Sequence, residues 1–136
     1  ACEAALEVGV HAATDITGFG LIGHAHEMAE ASGVTIEIDA RSVPLMARTL
    51  ELARGGTVTR AAASNLEHLG DRFTAKGVDD TLTKVLADAQ TSGGLLLAVT
   101  RDRVDALVAA LRKRHTRAAA VIARAAPKSR NTIVLS

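Results

Sequence analysis

Aromatic side chains are almost missing from this 136-residue chain: there is no Trp and no Tyr, and Phe19 and Phe73 are the whole aromatic complement. Proteins that hold single-stranded nucleic acid stack bases on aromatic platforms, so no nucleic-acid partner is expected, and the core must be filled by Leu, Val, Ile and Ala. Cysteine is limited to Cys2, which excludes an intrachain disulfide and a closed Cys-based zinc site and fits a reducing, cytoplasmic setting. No apolar run approaches the roughly 20 residues of a membrane-spanning helix, so no membrane partner is expected. The opening residues ACEAALEVGV lack the basic start and apolar centre of a secretory signal. The missing initiator Met suggests a fragment.

What remains is the size of one domain, long enough to bury about two thirds of the surface of its unfolded chain. The net charge of +1 hides an asymmetry: residues 1–100 carry 7 basic and 13 acidic side chains, and residues 101–136 carry 9 and 2. Arg112, Lys113, Arg114 and Arg117 cluster in the basic third. Cations in the last turn of a helix oppose its partial negative end, so a solvated helix end is favoured over an anion-binding patch.

The spacing predicts the elements in order. Glu3 to Val8 reads as helix, stopped by Gly9. Leu21, Ile22, Ala25, Met28 and Ala29 recur at helical spacing from Gly20 until Ser32-Gly33. Val34, Ile36 and Ile38 alternate with polar residues as in a strand with one buried face. Pro44 is placed to open a helix carrying Leu45, Met46, Leu50, Leu52 and Ala53, broken at Gly55-Gly56. Arg60 to Leu69 is a helical candidate, and Val78, Leu82, Val85 and Leu86 mark another. The turn Gln90-Thr91-Ser92-Gly93-Gly94 then feeds the continuous apolar run Leu95 to Val99, which suits a central strand. Val104, Leu107, Val108 and Leu111 define a further helix; Ala118 to Ile122 and Thr132 to Leu135 read as closing strands. One layered α+β or α/β domain follows.

The stretch TDITGFGLIGHAHEMA, Thr14 to Ala29, carries the chemistry. Gly18, Gly20 and Gly23 have the G-x-G-x-x-G spacing of a dinucleotide site, a helix and a strand follow, and Glu37 and Asp39 lie about 20 residues on. Against this, the segment upstream is short and polar, with Asp15 where a buried parallel strand should be apolar. A carboxylate there would face a pyrophosphate as a like charge. Alternatively, Asp15 is a ligand for Mg²⁺ and the glycines form an open turn near phosphate oxygens. A third reading is purely structural: an Asp or Thr before a helix often caps it, and glycines often make turns.

The blocks ATDITGFGLIGHAHEMAEASGV, VPLMARTLELARGGT and LADAQTSGGLLLAV, in that order, resemble the C-terminal half of the selenophosphate synthetase family, within the aminoimidazole ribonucleotide synthetase-like superfamily. The likeness runs from about residue 8 to the end. It implies an α+β fold, a layered mixed β-sheet with packed helices, as one domain over residues 1–136. It also implies ATP-dependent phosphoryl transfer, with selenide and ATP as substrates, AMP and phosphate as by-products, Mg²⁺ as cofactor, a homodimer, and an N-terminal ATP-binding domain absent from this chain. No catalytic residue is then expected here. Asp15 matches the family's metal-binding Asp; Thr14, Thr17, Gly18 and Gly20 would shape its loop, and Gln90 to Gly94 form a second polar turn that either approaches the site or simply leads into the next strand.

Cys2 lacks the glycines and Lys around the family's reactive Cys and is expected as a small buried or half-buried thiol. His24 and His26, two apart on a helix, point to nearly opposite sides and cannot share a metal in the i, i+4 manner. His11, His68 and His115 have no ligand-like spacing. The chain departs from the family at Ala89, where Pro is usual, and at Ala123-Arg124, where Gly-Glu is common. Two alternatives stay open: another ATP-using member of the superfamily, and a free-standing interaction domain of this fold.

Overall fold

In the computed structural model, which describes residues 1–136, the chain forms helices α1 (Cys2–Val8), α2 (Gly20–Ser32), α3 (Thr49–Arg54), α4 (Arg60–Leu69), α5 (Asp80–Ala87) and α6 (Val104–Lys113). The strands are β1 (Ala12–Asp15), β2 (Val34–Ile38), β3 (Phe73–Ala75), β4 (Leu95–Ala98), β5 (Ala123–Pro127) and β6 (Ile133–Leu135). Four strands make a mixed sheet in the order β3-β6-β2-β5: β6 runs parallel to both β2 and β3, and β5 is antiparallel to β2. β1 and β4 form a separate antiparallel ribbon. The fold is the expected layered α+β arrangement.

Helix α2 joins the layers. Ile22, Ala25 and Ala29 are fully buried on it, and the same core takes in Ile36 and Ile38 of β2, Leu69, Leu86, Ile133 and Leu135. Burying one such aliphatic side chain stabilises the fold by about 1.5–3 kcal/mol, and the fully enclosed Ile22, Ile38, Leu69, Ile133 and Leu135 contribute at the upper end. Gly33 ends α2 in the left-handed conformation at φ 65°, its N–H donating back to Ala29 and Glu30, as the Ser32-Gly33 signal requires.

On the ribbon, the side chains of Thr14 and Leu96 share one face, and Leu96 packs on the main core. Leu97, on the other face, packs with Val99 against a small satellite core of Ala4, Leu107 and Ala110 contributed by α1 and α6. Arg114 fastens this layer by pairing with Glu3 and Glu7 of α1. One cation of the basic cluster thus has a structural partner.

Several expectations are overturned. Leu95 to Val99 is not a central strand: β4 pairs only with β1, and its apolar faces are covered by helices rather than by neighbouring strands. Pro44 opens no helix. Leu45 and Met46 find no core surface and stay exposed, Arg48 takes φ 65°, and α3 starts only at Thr49. The closing strand lies at Ala123–Pro127 rather than Ala118 to Ile122, because β2 is five residues long and ends opposite Ala123. Thr35 is buried as well as Ile36, since residues 129–131 lie against its side chain; its hydroxyl donates to the Asn131 carbonyl at 2.7 Å and accepts from the Ser129 N–H at 3.0 Å. β3 carries too few apolar residues to announce itself. Cys2 is exposed, not buried.

His26 sits 4% exposed in the main layer. The Thr132 hydroxyl donates to the Arg72 carbonyl at 3.1 Å, which leaves its oxygen to accept from His26 Nδ1 at 2.7 Å. Burial lowers the His26 pKa below 6.5, and Glu30 opposes the shift without cancelling it. The unfolded chain therefore binds the proton first as pH falls, so the neutral ring's stabilisation is complete above pH 6.5 and declines from there toward the lower folded value. Thermal denaturation between pH 8 and 5 should show a loss of Tm below about 6.5, the unshifted value for His, and this component of the loss should disappear in His26→Gln.

Candidate functional site

Where β1 ends, two turns are sewn together by their backbones. Ile16 N–H donates to the Gly94 carbonyl at 2.9 Å, Gly93 N–H to Ile16 at 3.0 Å, and Gln90 N–H to Thr17 at 2.9 Å. The turn Gln90 to Gly94 thus lies directly against Ile16 and Thr17. A side chain at Gly93 would collide with the Ile16 carbonyl oxygen; this contact requires glycine. On the other side, Asn65 of α4 donates to the carbonyls of Gly18 at 3.0 Å and Ala87 at 2.9 Å. Asn65 was not foreseen as a functional residue, and its only sequence signal is a polar side chain on a face of α4 flanked by buried positions.

The glycine spacing resolves into separate duties. Gly20 has φ 65°, and a Cβ there would stand 2.6 to 2.8 Å from the backbone of Ala87 and Asp88, so it lets α2 start against the end of α5. Gly23 makes room for Phe19. Gly18 is exposed with open space around it. The dinucleotide reading does not hold: β1 and β2 belong to different sheets, so no parallel β-α-β unit exists. The acids it needs are also engaged elsewhere. Glu37 pairs with Arg124 at 2.5 Å across β2 and β5. Asp39 accepts from the Ser42 hydroxyl and the Arg41 N–H, bonds that hold its pKa below the usual carboxylate value.

Asp15 is exposed at the last position of β1, opposite Leu95 and on the same face of the ribbon. No Lys, Arg or His of the chain pairs with its carboxylate. Thr14, half-buried, turns to the opposite face with Leu96. Half-buried Thr17 has its hydroxyl 3.0 Å from His24 Nε2, and His24 Nδ1 lies 3.0 Å from Glu27 Oε2. The exposed ring of Phe19 leans on His24 at 5.4 Å. His26 points away to Thr132, so the two histidines do diverge, and neither joins a group of three metal-ligating side chains anywhere in the chain.

Mg²⁺ is held by one or two carboxylates, waters and substrate phosphates rather than by an all-protein cage. A free, solvent-facing carboxylate on a strand end fits that demand, and since no three metal-ligating side chains gather in this chain, the other ligands would come from outside it. Substitutions should sort the glycines by duty: Gly20→Ala and Gly93→Ala are each expected to cost about 2–4 kcal/mol by overpacking and strain. Gly18→Ala should stay within about 0.5 kcal/mol, as a surface change does. Urea unfolding of the three variants measures the difference.

Comparison with known proteins places this geometry in a family. The family model described as AIR synthase related protein, C-terminal domain, matches residues 1–136. A protein named selenide, water dikinase from Porphyromonas gingivalis is 51% identical over 77% of this chain and 30% of its own length. Another of that name from Caldanaerobacter subterraneus subsp. tengcongensis is 42% identical over 94% of this chain and 37% of its own length. Selenide, water dikinase 2 of Peptoclostridium acidaminophilum is 36% identical over 99% and 39%. The chain spans about a third of the length of these relatives. With every residue from 1 to 136 matched, it belongs to the family of AIR synthase related proteins as their C-terminal domain.

Proposed function

We propose that this domain is the C-terminal part of a selenide, water dikinase, an ATP-dependent phosphotransferase that makes selenophosphate from selenide, ATP and water and releases AMP and phosphate. The identity with proteins of that name supports the reading, and the observation that carries the site is the free carboxylate of Asp15 on the face where two turns are joined. In this reading the remaining machinery, including the nucleophile and most phosphate contacts, belongs to an N-terminal domain, the enzyme works as a cytoplasmic homodimer, and this chain alone is inactive.

Successive cleavage of two phosphoanhydrides crowds negative oxygens together, and Mg²⁺ supplies the neutralising charge when bound. Asp15 would supply one ligand to that ion. Ile16 and Thr17, bound through their backbones to the Gln90 to Gly94 turn, keep that carboxylate from moving with a floppy loop. Leu95, exposed and opposite Asp15 in the ribbon, offers apolar surface for the second domain to cover.

The decisive test uses the full-length protein. Asp15→Asn removes the charge with almost no change of shape, so selenide-dependent AMP formation should fall by about 10- to 1,000-fold, the range for losing one electrostatic contact at a reacting phosphate, and its Mg²⁺ requirement should shift upward. The Tm should stay within about 2 °C, because an exposed side chain without partners contributes little to folding. Unchanged turnover would remove Asp15 from the mechanism, and a large fall in Tm would make it structural.

A further inference from the structure

Gly18 lies between two firmly held stretches of chain. Before it, Ile16 and Thr17 are bound through their backbones to the turn Gln90 to Gly94; after it, α2 starts at Gly20, which lies close against the backbone of Ala87 and Asp88. Gly18 itself forms no backbone hydrogen bond and has open space where a side chain would stand. A glycine so placed is free to turn. One contact prevents it: Asn65 of α4 donates from Nδ2 to the Gly18 carbonyl at 3.0 Å.

The same nitrogen donates to the Ala87 carbonyl at 2.9 Å. A side-chain amide nitrogen carries two protons and a carbonyl oxygen only accepts, so the two bonds use both protons and fix which way the amide faces. Asn65 therefore fastens Gly18 to the end of α5. A second tie between α4 and the end of α5 leaves the loop alone: Thr59, whose hydroxyl oxygen accepts from the Ala61 N–H at 3.1 Å, donates its own N–H and hydroxyl protons to the Asp88 carboxylate. One tie joins the helices only, and the other also holds the loop.

We infer that Asn65 is a positioning residue for the active site: it acts through Gly18, setting the orientation of the peptide between Gly18 and Phe19 in the loop that follows Asp15. The inference rests on the reading above, in which Asp15 serves the ATP site of the full-length enzyme and its loop lies there with it. In a planar trans peptide the carbonyl and the N–H point in opposite directions, and no peptide of this chain is cis. With the Gly18 carbonyl turned to α4, the Phe19 N–H is turned away from that helix. No other hydrogen bond of the chain chooses between the two orientations of this peptide.

Three variants of the full-length protein separate positioning from folding. Asn65→Ala removes both bonds, Asn65→Asp keeps the shape but, ionised, has no proton to donate, and Thr59→Val breaks the tie that leaves the loop alone. All three should lower Tm. Only the two Asn65 variants should raise the KM for ATP in selenide-dependent AMP formation, by about five- to tenfold, the effect of losing one ordinary hydrogen bond; a mere loss of folded enzyme lowers the apparent kcat and leaves KM where it was. In the same two variants chymotrypsin should cut after Phe19 faster than in the wild type or in Thr59→Val, read as the product that begins at Gly20. An unchanged KM in Asn65→Ala while Asp15→Asn is impaired, a wild-type KM in Asn65→Asp, an equal rise of KM in Thr59→Val, or equal cutting after Phe19 in all four proteins overturns the inference and leaves the Asp15 assignment standing. Normal kinetics in both Asn65→Ala and Asp15→Asn, or no selenide-dependent AMP formation by the wild type, removes both.

Discussion

The site depends on the contact between two stretches of backbone, residues 16–17 and 90–94. Three N–H to carbonyl bonds cross it, and glycine is required at Gly93 because a methyl group would occupy the space of the Ile16 oxygen. This seam fixes the direction in which the chain leaves β1. From it follow the position of Asp15, the start of α2 at Gly20 and the rest of the main core. A backbone contact of this kind tolerates almost no change in volume, since close-packed interiors cannot absorb even one added carbon without a shift.

Helix α2 serves two masters. Its inner face, with Ile22, Ala25 and Ala29, is hydrophobic cement between the ribbon and the mixed sheet. Its histidines stand apart from the solvated Glu27, Glu30 and Ser32: His24 reaches forward to the turn and His26 reaches into the sheet. A buried imidazole without a partner would carry a desolvation cost. Each ring therefore meets a threonine, and through different nitrogens: Thr132 accepts from Nδ1 of His26, and Thr17 lies on Nε2 of His24.

Much of the fold was legible because it follows from local rules. The bounds of α2 and α4, the left-handed Gly33 and the strand Val34–Ile38 are written in periodicity and punctuation. Failures occurred where a local signal had no tertiary partner or a different one. Pro44 is well placed to start a helix, yet Leu45 and Met46 have nothing to bury against. Leu95 to Val99 is apolar on both faces because two helical layers cover a ribbon, which periodicity cannot tell apart from burial between strands. In the site, an Asp beside a glycine turn could be singled out in the sequence, whereas Asn65 and Glu27 could not, because polar residues on helices are usually solvated.

The sequence by itself determined most of the elements, the class of fold, the exclusion of a disulfide and the choice of Asp15 as the residue proposed to bind a metal, since these depend on composition, period and short motifs. Tertiary structure alone decided that the strand before the glycines and the strand after α2 lie in different sheets, which dismisses the dinucleotide site. It also decided that residues 17, 24 and 27 form one hydrogen-bonded chain and that residues 16 and 93 touch. The reason is physical: such meetings are set by how helices and sheets pack over distances that no local pattern encodes.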